Sequence, residues 1–168
     1  MNCQNNEFMR KITVLLFLLI YALAATAQTL PEMQIQTLTG KDVNVAAIAG
    51  NGKPVMMLFY ATWCKPAANQ LKAITRQYAD WQKETGVQMI VVSVDKAQDR
   101  QKLQNVFKQN NWKYDVLLDT DGALKRAMTV QMIPHLFIIN GRGEVVKSHR
   151  GYTDGAESRI AEELKNIL

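Results

Sequence analysis

Met33 to Leu38 alternates apolar and polar side chains, the two-residue period of a strand with one covered face. Thr39-Gly40-Lys41-Asp42 reads as a turn and Val43 to Val45 as a short return strand, so the region predicts an N-terminal hairpin. After a second turn at Asn51-Gly52-Lys53-Pro54, Val55 to Tyr60 is continuously apolar, which fits a strand covered on both faces. Leu71, Ile74, Tyr78 and Trp81 then recur at helical spacing. They predict a helix over Cys64 to Lys83, with Pro66 in its first turn, where a missing N–H costs little, and Gly86 closing the segment.

Val87 to Val94 predicts a second buried strand, and Gln98 to Asn110 a helix with Leu103, Val106 and Phe107 inward. Tyr114 to Leu118 is a short strand, and Asp119-Thr120-Asp121-Gly122 turns into a short helix ending at Met128. Leu136 to Asn140, the turn Asn140-Gly141-Arg142-Gly143 and Glu144 to His149 form a closing hairpin. Ile160, Leu164, Ile167 and Leu168 mark a final amphipathic helix. Strands alternating with helices argue α/β architecture, a central sheet flanked by helices with a β-hairpin extension at the N-terminal side.

The first residues change the picture of what folds. Arg10 and Lys11 precede an apolar stretch from Ile12 to Ala24, and Ala25-Thr26-Ala27 supplies the small residues that a signal peptidase reads. A spanning helix needs ~20 apolar residues, more than this stretch holds. Residues 1–27 are therefore expected to be a signal peptide and 28–168 one domain, exported and without a retained anchor. The alternative is an uncleaved anchor. Cys3 lies before the apolar stretch, so it does not serve as a lipoprotein cysteine.

The formal net charge of +5 comes from Lys and Arg scattered along the chain, the pattern of a solvated surface and not of a nucleic-acid stripe. The chain has two cysteines, and Cys3 leaves with the signal, so Cys64 becomes the only thiol. In an oxidising compartment such a thiol is buried, capped, reactive or paired with another molecule. A thiol attacks as thiolate, and a helix N-terminus favours the anion. Cys64 falls at a predicted helix start, with Trp63 before it as an apolar wall and Lys65 after it as a positive charge. A reactive thiol is the reading these positions favour; a small buried hydrophobe is the bland one.

Val55 to Gln70 resembles the active-site region of thioredoxin-like proteins, and the hairpin with the insertion at Val94 to Asp115 resembles more specifically the exported TlpA/ResA-like thiol–disulfide oxidoreductases. Ile133-Pro134-His135 resembles the family's cis-proline loop, and Gly151 resembles the glycine that rims the same groove. The resemblance spans Met33 to Leu168. It implies a thioredoxin-like fold with a mixed central sheet, a periplasmic location, and a cleft with Cys64 on one side and Pro134 on the other. Trp63, Lys65, Pro66, Ile133 and Gly151 would line the substrate.

Three positions depart from the family pattern. The second cysteine of the Cys-X-X-Cys pair is Ala67, and the acids that members carry six positions before and after the first cysteine are Leu58 and Gln70. The expected activity is therefore that of a single nucleophile: mixed-disulfide, isomerase or monothiol reductase chemistry on protein or small-molecule disulfides, with an external thiol donor. A peroxiredoxin-type site would need Thr and Pro where Ala61 and Met57 stand. His135 follows Pro134 where the family more often has Thr. It is a possible accessory group that would steady the thiolate, or more plainly a strand residue at the groove rim. His149 is given no catalytic role. No metal site and no cofactor are expected. Two other readings remain: a redox-inactive module holding an extended peptide in the same groove, and a dimer linked through Cys64 in place of a monomer.

Overall fold

In the computed structural model the described residues are 28–167. The predicted signal peptide, Cys3 and Leu168 lie outside them.

Strand β1 (Gln34–Thr37) pairs antiparallel with β2 (Asp42–Asn44), Ile35 opposite Val43. Asp42, expected in the turn, is the first residue of β2 and stands opposite Gln36. Val45 leaves the strand instead: its backbone is helical, it precedes a 3₁₀ turn at Ala46–Ile48, and its side chain is fully buried. Its N–H still reaches the Met33 carbonyl at 2.9 Å, so the chain turns the side chain into the core and keeps that backbone bond.

The centre is β3 (Val55–Tyr60), buried at every residue. It pairs parallel with β4 (Gln88–Ser93) and antiparallel with β6 (His135–Ile139). The connection from β3 to β4 is α1 (Lys65–Thr85). After β4 come a 3₁₀ turn at Ala97–Asp99, α2 (Arg100–Gln109), β5 (Asp115–Leu118) and the short α3 (Ala123–Ala127). The closing hairpin adds β7 (Val145–Arg150), and α4 (Ala156–Lys165) ends the chain. The seven strands form one mixed sheet in the order β2-β1-β5-β4-β3-β6-β7.

Side chains alternate across β3 and so feed two cores. Met56, Leu58 and Tyr60 meet Leu71, Ile74 and Trp81 of α1, Leu103 and Phe107 of α2, and Ile160 and Leu164 of α4. Val55, Met57 and Phe59 meet Ile35, Val45, Leu124 and Met128 on the other face. Val106, expected inward, is only half-buried, because Leu103 and Phe107 one turn apart carry the inner stripe of α2.

α1 runs two residues past its expected end. Thr85 donates its hydroxyl to the Trp81 carbonyl at 2.7 Å. Gly86, at φ +70, donates its N–H to the Gln82 carbonyl at 2.8 Å and closes the helix. Among the described residues no helix is long and apolar enough to cross a membrane.

Leu71 is fully buried where α1 meets β3. Leu71→Ala is expected to lower stability by about 2–5 kcal/mol, read as a lower urea midpoint with an unchanged slope.

Candidate active site

β3 and β4 run parallel, so both end at the same edge of the sheet, the edge where open α/β sheets place their sites. Beyond Tyr60 the chain turns through Ala61, Thr62 and Trp63, and the Cys64 N–H closes the turn on the Ala61 carbonyl at 3.0 Å. Cys64 is the N-cap of α1, extended at φ −95 and ψ 96, and Pro66 lies in the first turn. The helix starts one residue later than expected, which makes Cys64 the flanking residue and not part of the helix.

The turn is held from β4. Asp95, two residues beyond that strand and 3% exposed, accepts the Thr62 N–H on both carboxylate oxygens at 3.1 and 3.0 Å. It also accepts the Thr62 hydroxyl at 2.8 Å and the Ser93 hydroxyl at 2.7 Å. A buried carboxylate is tolerated when donors surround it, and here they do. Tyr60 lies beside this charge. Burial, then Asp95, then Cys64 push its phenol up to about 12, so it stays protonated. Asp95 and Tyr60 were not singled out by the sequence reading. The usable signal was an acid just past the end of a buried parallel strand; spacing between carboxylates gave none.

The Cys64 Sγ lies 3.5 Å from the Ile133 carbonyl and donates to it. The Ile133–Pro134 peptide is cis. Gly151, at φ +74, donates its N–H to the Pro134 carbonyl at 2.8 Å. Cys64, Ile133, Pro134 and Gly151 are thus joined in one chain of contacts, although they come from three separate stretches of sequence. The thiol is more covered than an open nucleophile would be: Cys64 is 8% exposed, while Trp63 beside it is 66% exposed. Lys65 and Pro66 face solvent, and Ala67 is fully buried on the inner face of α1. Gln70 is buried one turn further on, and its Oε1 has no partner among the described residues. A carboxylate in that place would be a buried charge, whereas the amide is neutral.

His135 belongs to the other face. It opens β6 opposite Phe59, and its ring stacks on Phe137 with centroids 4.2 Å apart. Its Nε2 meets the Ser148 hydroxyl at 2.7 Å, and Nδ1 is buried without a partner. This network supports the tautomer with the proton on Nε2. Burial, then the charges of Arg150 and His149, lower its pKa to about 4. A neutral ring turned toward Phe59 and Phe137 contributes no positive charge to a thiolate. His149 bridges β7 to α4, with Nε2 2.6 Å from Glu163 Oε2 and Nδ1 accepting from Arg159 at 3.1 Å. Among the described residues no three His, Cys, Asp or Glu side chains gather as a metal site.

Comparison with known proteins agrees with this architecture. The AhpC/TSA family matches residues 26–148. An uncharacterized thioredoxin-like protein of Porphyromonas gingivalis is similar over 83% of this chain and 91% of its own, at 43% identity and a TM-score of 0.74. StoA of Bacillus subtilis superposes with a TM-score of 0.61 at 25% identity, over 80% of this chain and 94% of its own. The thiol-disulfide oxidoreductase ResA of Bacillus subtilis is 30% identical over 117 residues, 70% of this chain and 63% of that protein. The chain thus spans less than two thirds of that relative's length. The chain belongs to the AhpC/TSA family and has the thioredoxin-like fold.

Below about pH 6.5 the unfolded chain takes up a proton on this histidine, while folded His135 does not until about pH 4. Its contribution to stability is therefore complete above pH 6.5 and is lost as pH falls toward 4. His135→Gln is expected to remove that part of the slope, read from urea midpoints at pH 7 and at about pH 4.5.

Proposed function

We propose that this chain is an exported thiol–disulfide oxidoreductase that works through one cysteine. The observation that carries the reading is the Cys64 sulfur held against the Ile133 carbonyl at the cis-proline turn, with Ala67 in the place of a second thiol. The similarity to the thiol-disulfide oxidoreductase ResA supports the reaction class. The family match by itself leaves peroxide chemistry open, but the residues argue against it. Ala61 and Met57 are fully buried and carry no hydroxyl or ring, and the nearby Thr62 hydroxyl is committed to Asp95.

The chemistry follows from the count of thiols. Cys64 loses its proton, and its thiolate attacks one sulfur of a substrate disulfide. A bond forms between Cys64 and that sulfur; the other substrate sulfur leaves as thiolate and takes up a proton. No side chain of this domain then attacks the mixed disulfide. A second thiol, from a small molecule or a partner protein, must attack it, releasing Cys64 and carrying the oxidation away. Ile133 has no backbone partner for its N–H among the described residues, and an extended substrate segment can pair with it. The same groove would serve a redox-inactive peptide binder, and the 8% exposure of Cys64 is what favours that second reading.

Mass spectrometry separates them. Incubated with excess peptide disulfide, the reduced wild type is expected to stop as a one-to-one adduct at Cys64 and to turn over only when a small thiol is added. Ala67→Cys is expected to release both peptide thiols without added thiol, and Cys64→Ser to form no adduct. Absence of a Cys64 adduct in the wild type, with peptide binding intact in Cys64→Ser, would leave the binding module as the correct reading.

A further inference from the structure

An open groove of about 490 Å³ is lined in part by Trp63 and Ile133. These are the residue before Cys64 and the residue whose carbonyl Cys64 touches. Its remaining polar wall is set by Lys96, Lys125 and Arg126, with Asp119 and Asp121 between them.

Of the two acids, Asp119 is fully committed, and Asp121 is exposed with one oxygen engaged. Both Asp119 oxygens accept helix N–H groups, from Leu124 at 2.9 Å and Lys125 at 2.8 Å, and the carboxylate is buried. Asp121 accepts the Ala123 N–H at 3.0 Å. The cations are not committed in the same way. Lys96 and Lys125 make no ion pair among the described residues, and Arg126 donates only to the backbone carbonyl of Asp121, at 2.7 Å. Both carboxylates keep their charge, but the three cations outnumber them on this wall, and the unpaired ammonium groups of Lys96 and Lys125 are free to meet a ligand.

The apolar flank is equally local. Trp63 and Met132 are the exposed large hydrophobic side chains among the described residues, at 66% and 51%, and both stand next to this site, before Cys64 and before Ile133. A wide groove with an apolar lip and a cationic wall fits a polypeptide better than a compact small molecule, which buries most of its surface in an enclosed pocket.

The geometry points to an extended polypeptide segment carrying acidic residues beside its cysteine as the substrate that this groove selects. The inference deepens the proposed function by naming the substrate class. It depends on that reading only for the covalent step. Charge contacts at a groove rim act on encounter and register, so the preference is carried mainly by the rate of association and weakens with salt.

The test uses short peptides with one cysteine activated as a 2-pyridyl disulfide and flanked by Asp/Glu, by Ser/Gly or by Lys. Attack by Cys64 forms a protein–peptide disulfide, breaks the peptide–pyridyl bond and releases pyridine-2-thione, read by absorbance. At low salt the acidic peptide is expected to react about tenfold faster than the basic one, and the ratio to shrink toward twofold in high salt. Lys96→Gln/Lys125→Gln, which leaves the Arg126 contact in place, is expected to lose the preference. Lys83→Gln/Lys113→Gln removes the same charge at the far end of α1 and is expected to keep it. Fluorescence anisotropy with the fluorescently labelled, non-activated peptides on Cys64→Ser reads the same ranking without the thiol. If that ranking holds and no peptide reacts with the wild type, the substrate inference stands and the proposed chemistry falls. Equal behaviour of acidic and basic peptides in both assays, or a preference that survives Lys96→Gln/Lys125→Gln, overturns the inference. So does an anionic small disulfide that outcompetes the acidic peptide at equal concentration.

Discussion

The Asp95 carboxylate is the contact on which the geometry of this site depends. Core packing docks α1 on β3, and in the turn between them Ala61 is buried in that core while Trp63 is exposed, which leaves Thr62 to be held by polar contacts. Asp95 reaches across from the end of β4 and takes both the N–H and the hydroxyl of Thr62. Ser93 fills another lone pair of the carboxylate. That arrangement fixes Thr62 relative to the sheet, and Cys64 follows two residues later at the mouth of α1. On the opposite side the Gly151 N–H holds the Pro134 carbonyl, and the Ile133 carbonyl receives the thiol. The sulfur is thus placed by backbone contacts from two directions. Charge-assisted hydrogen bonds to a buried carboxylate are among the stronger local restraints available to a protein.

Given a placed sulfur, the proposed chemistry turns on the fully buried Ala67. A second thiol there would let the protein resolve its own mixed disulfide. In the proposed chemistry, a methyl group in that place would leave the intermediate standing until another molecule attacks it. Gln70 on the same helix is consistent with this loss. A neutral amide in a buried position has no proton to manage, and a carboxylate there would have to be neutralised or paired. The inner face of α1 near Cys64 thus carries no titratable side chain of its own, and apart from the buried Asp95 the charges sit on the outer rim, at Lys65 and around the groove beside Trp63.

Much of the fold is legible in the sequence because its strongest signals are strictly local. Val55 to Tyr60 reads as a doubly covered strand and is one, since six apolar residues in a row between turns have few other stable placements. The helix after it is fixed by Leu71, Ile74 and Trp81. Boundaries shift where side chains outweigh periodicity: Val45 turns helical to fill the second core, and His135 joins β6, where its ring stacks on Phe137. Within the site, Cys64, Ile133, Pro134 and Gly151 are legible as motif positions. Asp95 is not, because its importance lies in which distant N–H it meets, and that depends on β3 and β4 lying parallel and in register. The covering of Cys64 is hidden for the same reason.

If Cys64 acts because an anchored turn presents it at the proline loop, loosening that turn slows its attack. The most direct measurement is the second-order rate constant for mixed-disulfide formation at Cys64 in Asp95→Asn against the wild type, with urea unfolding run in parallel to verify that the variant is folded. Removing a negative charge would by itself speed attack by an anion, so slowing is the mark of lost position. Placement by the anchored turn implies a rate at least about tenfold lower in the folded variant, a barrier increase of about 1.4 kcal/mol. A rate equal to or above that of the wild type would contradict it.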